Sequence, residues 1–596
     1  MRRRVPPFAL LFVGWSLAGG CSRAHLPVDN HAEARGERGA EALRALVDAY
    51  LEEQFRASPL FATHAGVHAY DGQLRGFTPE EREAQRQRLR DTIEALPRTV
   101  DRDHLSALDQ ADYDVLHGEL QERVLELEEI RPWERDPNTY LRTAGQAVFQ
   151  LIIRDFAPLE DRMRSAISRM TRVPDLFAAG KKELRDPPRI WTEIALDQVK
   201  GTRALYAKTL PDAFASVRDA ELRAAFSREQ ARCLEAIDGY ARFLREDLLP
   251  RSNGRFAIGE ELYRQKLLYE EGVAESIDSL LSWGQTELKR TQAQFQEVAR
   301  RIDPGKPAME VFRGLGREHP KPEELVATAA ATLEEIRQFV IDRRIITIPS
   351  EVRARVAETP IFARALSFAS MSIPGPFETK AAEAYYYVTP PDPAWTPEQV
   401  EEHLSFYNAY ALPVVSIHEA YPGHYVQFLW TNRIDSKVRK LFGSGSFSEG
   451  WGLYAEQMVL DEGFGGTGAR ADKLRLAQLS LYLQRLGRYL VGLSLHTRGM
   501  SYEEAVRFFQ EQAYMTRTNA EREARRGTSD PTYLVYALGK KMILELREEA
   551  RARWGAGFTL QRFHDQLVAY GYPPLPVVRR LMLGAESAPA RPEASR

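Results

Sequence analysis

Apolar residues recur at i, i+3, i+4 and i+7 through one long segment after another, and this period most constrains the fold. Glu41–Phe55, Pro79–Leu96, Ala107–Glu129, Ile190–Leu210, Asp219–Leu249, Ile277–Ile302 and Pro322–Asp342 all carry it, with charged residues between the apolar ones. A period of about 3.6 residues belongs to helices that bury one face, so residues 41–340 are expected to form a lobe of helices packed in layers. No fixed-length repeat is present, which argues against a solenoid. With 44% hydrophobic and 28% charged residues, the 596-residue chain has the makeup of a soluble globular protein, and its formal net charge of -3 gives no reason to expect nucleic acid.

The pattern changes between Arg344 and Pro391. Ile345–Pro349, Arg355–Pro360 and Glu383–Pro390 are short, β-branched or aromatic, and closed by proline, as strands of a small sheet are. Helical periodicity resumes at Pro397. The expected fold is therefore mainly α, two-lobed, with a helical lobe at 41–340 and a second lobe at 341–584 that holds the sheet. An edge strand there could pair with an extended substrate backbone, and Tyr386 is placed among the substrate-binding residues.

The termini read differently. Arg2-Arg3-Arg4, an apolar run from Phe8 to Ala18, then Gly19-Gly20-Cys21 make a signal peptide over residues 1–20, too short for a membrane-spanning helix. Cys21 resembles the lipid-acylated cysteine of a bacterial lipobox, and Ser22 after it resembles the sorting signal for the outer membrane, facing the periplasm. Residues 21–40 are then a lipid-anchored tether, and 585–596 a disordered tail. Cys233 is left without a disulfide partner.

The chemistry concentrates in Ser416-Ile417-His418-Glu419-Ala420-Tyr421-Pro422-Gly423-His424. Two histidines four apart on one helix bind zinc in the H-E-x-x-H arrangement, and the glutamate activates water. Here the second histidine comes six residues on, which on a straight helix turns it about 120° away. Pro422-Gly423 directly before His424 can break the helix and return the ring to its partner. Glu449 and Glu456, seven apart on one helical face in an apolar setting, are carboxylates that need a partner or a metal. Gly443–Ser446 supplies a loop between the two segments.

His418-Glu419-Ala420-Tyr421-Pro422-Gly423-His424 with Gln427, and Glu449-Gly450-Trp451 with Tyr454 and Glu456, resemble the bacterial domain-of-unknown-function 885 family. That family is described as similar to gluzincin metallopeptidases. The resemblance implies that the two extra residues belong to the pattern, with one Zn²⁺ held by His418, His424 and Glu449 and with Glu456 orienting a histidine. It further implies Glu419 as the base and Tyr536, or secondarily His496, as oxyanion donor. Arg485 and Arg488 lie in a stretch similar to the family's arginine-rich helix and are assigned to a substrate carboxylate. Gly492 departs from the pattern, where aspartate is expected. The expected activity is hydrolysis of short peptides by a lipid-anchored zinc metallopeptidase. Hydrolysis of another amide or ester, or a non-catalytic helical binding protein, are the alternatives, and Mn²⁺ or Co²⁺ also suit such ligands.

Overall fold

The computed structural model describes residues 30–359, 364 and 369–584; the signal segment, Cys21 and the tail from residue 585 lie outside them. The fold is mainly helical with one small sheet, and no helix among the described residues is long and apolar enough to cross a membrane. Helices start where short polar side chains cap them. Thr78 accepts from the Glu81 amide while the Glu81 side chain returns to the Thr78 amide, opening Pro79–Thr99. Ser276 does the same for Ile277–Ile302 by accepting from Ser279.

The first helix runs over Asn30–Ala57, so the last part of the segment read as a tether is helical. Its Ala, Glu and Arg residues are strong helix formers despite their lack of apolar period. Gly36 lies against the His104 carbonyl, and Ala40 is buried.

Three apolar cores are present among the described residues. One joins Leu74 to Leu248, and another wraps Ala40–Leu120 with Val438 and Phe442. The largest runs from Tyr263 to Leu583. The boundary expected at residue 340 therefore falls inside one core. Ile277–Ile302 packs along Ala469–Thr497, and Gly284 admits Tyr489 and Leu490 where a β-carbon would stand 2.8 Å from both. Charge between apolar residues marks a helix, but it does not say which partner covers the apolar face.

The sheet is small. β1 (Arg355–Glu358) pairs in parallel with β3 (Tyr385–Val388), which pairs antiparallel with β2 (Ala369–Ser372), so β3 is central. The Ile345–Pro349 run is not a strand. Ile345 and Ile346 are buried, the Ile345 amide closes the preceding helix on Val340, and the Thr347 amide donates to Asp565. β2 takes the place in the sheet expected for that run, from a segment without β-branched alternation.

The closest helix packing brings Gly445–Asp461 onto Val535–Trp554. At the crossing Gly450 faces Gly539, and a β-carbon on Gly539 would lie 1.7 Å from the Ser446 carbonyl oxygen. Gly539→Ala should therefore destabilise the protein by about 1–3 kcal/mol through overpacking, although alanine is the better helix former. The urea midpoint reads this, and an unchanged midpoint would show that the helices can part at little cost.

Candidate metal centre

His418 stands in the last turn of Ala411–Glu419. The backbone leaves helical geometry at Ala420 (φ -120, ψ -73) and at Gly423 (φ -62, ψ -138), and a second helix, His424–Thr431, begins with the second histidine. The Tyr421–Pro422 peptide between them is cis. The Gly423 amide donates to the Ile417 carbonyl at 3.0 Å, and a β-carbon on Gly423 would sit 1.7 Å from the His418 carbonyl oxygen. Only glycine fits there. The indole N–H of Trp451 donates to the Pro422 carbonyl at 2.9 Å and reaches the Gly423 carbonyl at 3.3 Å, tying the break to the neighbouring helix.

The break brings the rings together. The His418 and His424 centroids are 4.8 Å apart at 88°, and Oε2 of Glu449 lies 3.3 Å from His418 Nε2 and 3.6 Å from His424 Nε2. The three ligand atoms lie within 4.8 Å of one another. Two ligands about 2.1 Å from a tetrahedral zinc are roughly 3.4 Å apart, so the donor set and its spacing fit that ion. Behind them, His418 Nδ1 meets Glu456 Oε1 at 2.8 Å, a contact that fixes the orientation of the ring. Gly452 leaves room for the His418 ring, since its β-carbon would stand 2.7–2.8 Å from three ring atoms.

Charge at the cluster is strongly coupled. Burial disfavours a charged His418, yet hydrogen bonds to Glu449 and Glu456 outweigh it and lift the ring to about 10. Burial likewise opposes ionisation of Glu449, but the two imidazoles hold its carboxyl well below the usual range. Two carboxylates and two imidazoles thus share this cluster. Glu419 places Oε2 2.8 Å from the Met371 amide of β2.

Tyr536 and Glu449 line one cavity of about 440 Å³. The Tyr536 hydroxyl makes no hydrogen bond within the described residues, and burial, then the charge of Glu449, raises its pKa. Arg488 and Arg485 lie 5.0 and 5.8 Å from its ring. Arg488 is committed: Nε and Nη2 form a forked pair with Glu523 at 2.7 and 2.9 Å, out of water. Among the described residues Arg485 bonds neutral oxygens alone, Gln484 at 3.0 Å and the Leu481 carbonyl at 3.4 Å.

Two assigned residues belong to the core. His496 is 2% exposed, its Nε2 bonds the Gly527 carbonyl at 2.8 Å, and its ring packs by Phe256 and Tyr263; burial lowers it to about 4. Tyr386 is fully buried with its hydroxyl 3.1 Å from Ser416 Oγ, so it supports the His418 helix from behind rather than facing a substrate. At Gly492 the Tyr533 ring fills the space, 2.9 Å from where a β-carbon would be. Glu271 left no local signal. It bonds Ser444 Oγ and the amides of Gly445 and Ser446, securing the N-terminus of the Glu449 helix from a segment over 170 residues away. A second carboxylate group, Glu122, Glu126 and Glu270, surrounds the Lys266 ammonium, which already fills the cation position.

The sequence matches the family model described as a bacterial protein of unknown function, DUF885, over residues 59–582, and the chain belongs to that family. Two solved structures similar to it are of putative lipoproteins. One, of unknown function, from Shewanella oneidensis, is 28% identical, with TM-score 0.78 over 91% of this chain and 99% of that one. The other, from Colwellia psychrerythraea, is 18% identical, with TM-score 0.70 over 92% and 98%, and shares the fold. No curated protein matches.

The Arg488–Glu523 pair yields a stability prediction. The folded pKa of Glu523 is depressed, because Arg488 outweighs the cost of burial. Its stabilisation is present above the unfolded value near ~4.3 and is lost as pH falls through the folded one. Glu523→Gln, which strands the guanidinium, should cost about 3–5 kcal/mol at neutral pH in urea unfolding. A cost below ~1 kcal/mol would mean that water reaches Arg488.

Proposed function

We propose that this chain is a zinc-dependent hydrolase of amide bonds in short peptides, with site roles like those of gluzincin metallopeptidases. The observation that carries the proposal is the meeting of His418, His424 and Glu449 at ligand spacing, with Glu456 on the far nitrogen of His418. Zinc would supply Lewis acidity there, making water nucleophilic near neutral pH and polarising a carbonyl.

The rest is done by the chain. Glu419, next to a ligand and oriented by the Met371 amide, takes the proton of the attacking water and passes it to the leaving amine. The Tyr536 hydroxyl, on the cavity wall with Glu449, donates to the oxygen that becomes negative as the carbonyl turns tetrahedral. Arg485, which has no carboxylate partner among the described residues, meets the C-terminal carboxylate of the substrate. Arg488 holds Arg485's neighbourhood in place through Glu523 and stays out of that role. Gly19-Gly20-Cys21 and the two similar lipoproteins support export and lipid anchoring, and Ser22 after the cysteine supports a place at the outer membrane facing the periplasm.

Purified protein should hold close to one zinc per chain, and His424→Ala should lose it. Glu419→Gln should keep the metal and lose hydrolysis of a mixed-peptide library by about a hundred- to ten-thousand-fold. A chain that takes up no zinc, or a variant as active as the parent, overturns the proposal and leaves a non-catalytic binding protein. Arg485→Ala should raise KM about tenfold for peptides with a free C-terminal carboxylate and leave their C-terminal amides unaffected. Equal effects on both forms would remove Arg485 from substrate binding.

A further inference from the structure

His68 is held between two carboxylates, one of them 310 residues away along the chain. Its Nδ1 lies 2.9 Å from Asp71 Oδ2, and its Nε2 lies 2.8 Å from Glu378 Oε2. A neutral imidazole has one N–H and can donate to one of the two; the imidazolium donates to both. The carboxylates are largely out of water, with 8% and 4% of their side chains exposed. Their remaining oxygens are also engaged. Asp71 Oδ1 accepts from Thr63 Oγ1 at 2.6 Å, and Glu378 Oε1 accepts from the Lys380 and Ala381 amides at 2.8 and 3.1 Å. Phe156 stacks on the imidazole with centroids 3.9 Å apart at 8°.

The charges around the ring fix its state. Burial opposes a charged His68, but the bonds to Asp71 and Glu378 outweigh it and raise the ring above its ordinary value. Burial likewise opposes ionisation of Glu378, and His68 with the two amides holds that carboxyl below the usual range. The cations nearby stand behind the carboxylates. Arg169 is 4.0 Å from Asp71, Arg154 acts on Glu378, and Arg162, paired with Asp155, lies 6.0 Å from the Phe156 ring.

Glu378 belongs to the connection between β2 and β3, residues 373–384. This connection lies against the amino-terminal helices. The Phe377 amide donates to the Ala65 carbonyl at 2.9 Å, and a β-carbon on Gly66 would stand 2.3 Å from the Glu378 nitrogen. Arg154 fastens both ends, donating to Ser372 Oγ and to the Glu383 carbonyl at 2.7 Å each. A guanidinium keeps its charge at every working pH. The imidazolium in the middle does not.

We infer that His68 is a pH-sensitive clamp: charged, it fastens the β2–β3 connection to the amino-terminal helices, and on losing its proton it releases Glu378. Its contribution is complete below the ordinary value of 6.5 and is lost as pH rises through the higher folded value. β2, at one end of the connection, carries the Met371 amide that meets Glu419. An effect on Glu419 as a base rests on the hydrolase reading; the clamp itself does not.

Two measurements on the full chain test it without any use of hydrolysis. Histidine NMR, with the His68→Gln spectrum identifying the resonance, should find His68 titrating above ~6.5, and Glu378→Gln should move it down. Hydrogen exchange of the amides of residues 377–381, corrected for the intrinsic pH dependence, should speed up about tenfold across that titration. In His68→Gln, which has no titrating group there, these amides should exchange at the faster corrected rate at every pH. A His68 value at or below ~6.5, or exchange that follows pH identically in His68→Gln and the parent, overturns the clamp.

Discussion

The approach of Gly423 to the His418 carbonyl is the contact on which the site depends. Two helices meet there end to end with no room for a β-carbon. The Gly423 amide closes on Ile417, while the Gln427 amide starts the next helix on the Gly423 carbonyl. A straight helix with the same six-residue interval would point the two imidazoles about 120° apart. The interruption cancels that rotation, and Trp451 holds it by donating to the Pro422 carbonyl freed at the break and reaching the Gly423 carbonyl beside it.

A second constraint of the same kind positions Glu449, the proposed third ligand. Gly450 and Gly539 let the Glu449 helix and the Tyr536 helix touch at the backbone, so both side chains reach one cavity. Glu271 meanwhile satisfies the exposed amides at the start of the Glu449 helix. These contacts remove conformational choices before any ligand arrives, which is the meaning of a preorganised site.

The sequence made legible what local pattern and spacing can carry: the helices, a small sheet ahead of the histidines, and the candidates His418, His424 and Glu449. The bend was readable because Pro-Gly has few other uses inside a helical pattern. Long-range packing was not. The apolar faces of the helices from Glu260 to Asp342 match many partners, and only the fold shows that they share a core with the histidine helices. The family resemblance implies a site role for His496 and the strand pattern one for Tyr386, and burial against Gly527 and Ser416 gives them structural roles instead. β2 escaped notice because Ala369–Ser372 has no β-branched residue, and its place is set by pairing with β3.

Distributing the candidate ligands over three helices changes what a mutation can do. In a single H-E-x-x-H helix the two histidines are related by one rigid turn, and the third ligand alone depends on tertiary packing. Here His418 ends one helix, His424 begins another and Glu449 sits on a third. Every ligand–ligand distance therefore depends on how helices pack, through Gly452 against the His418 ring and Trp451 against the break. Packing cores move in discrete rearrangements rather than by small continuous shifts. Such a site has the stiffness of the core around it, and substitutions that loosen the glycine crossings should separate the ligands while leaving each of them intact.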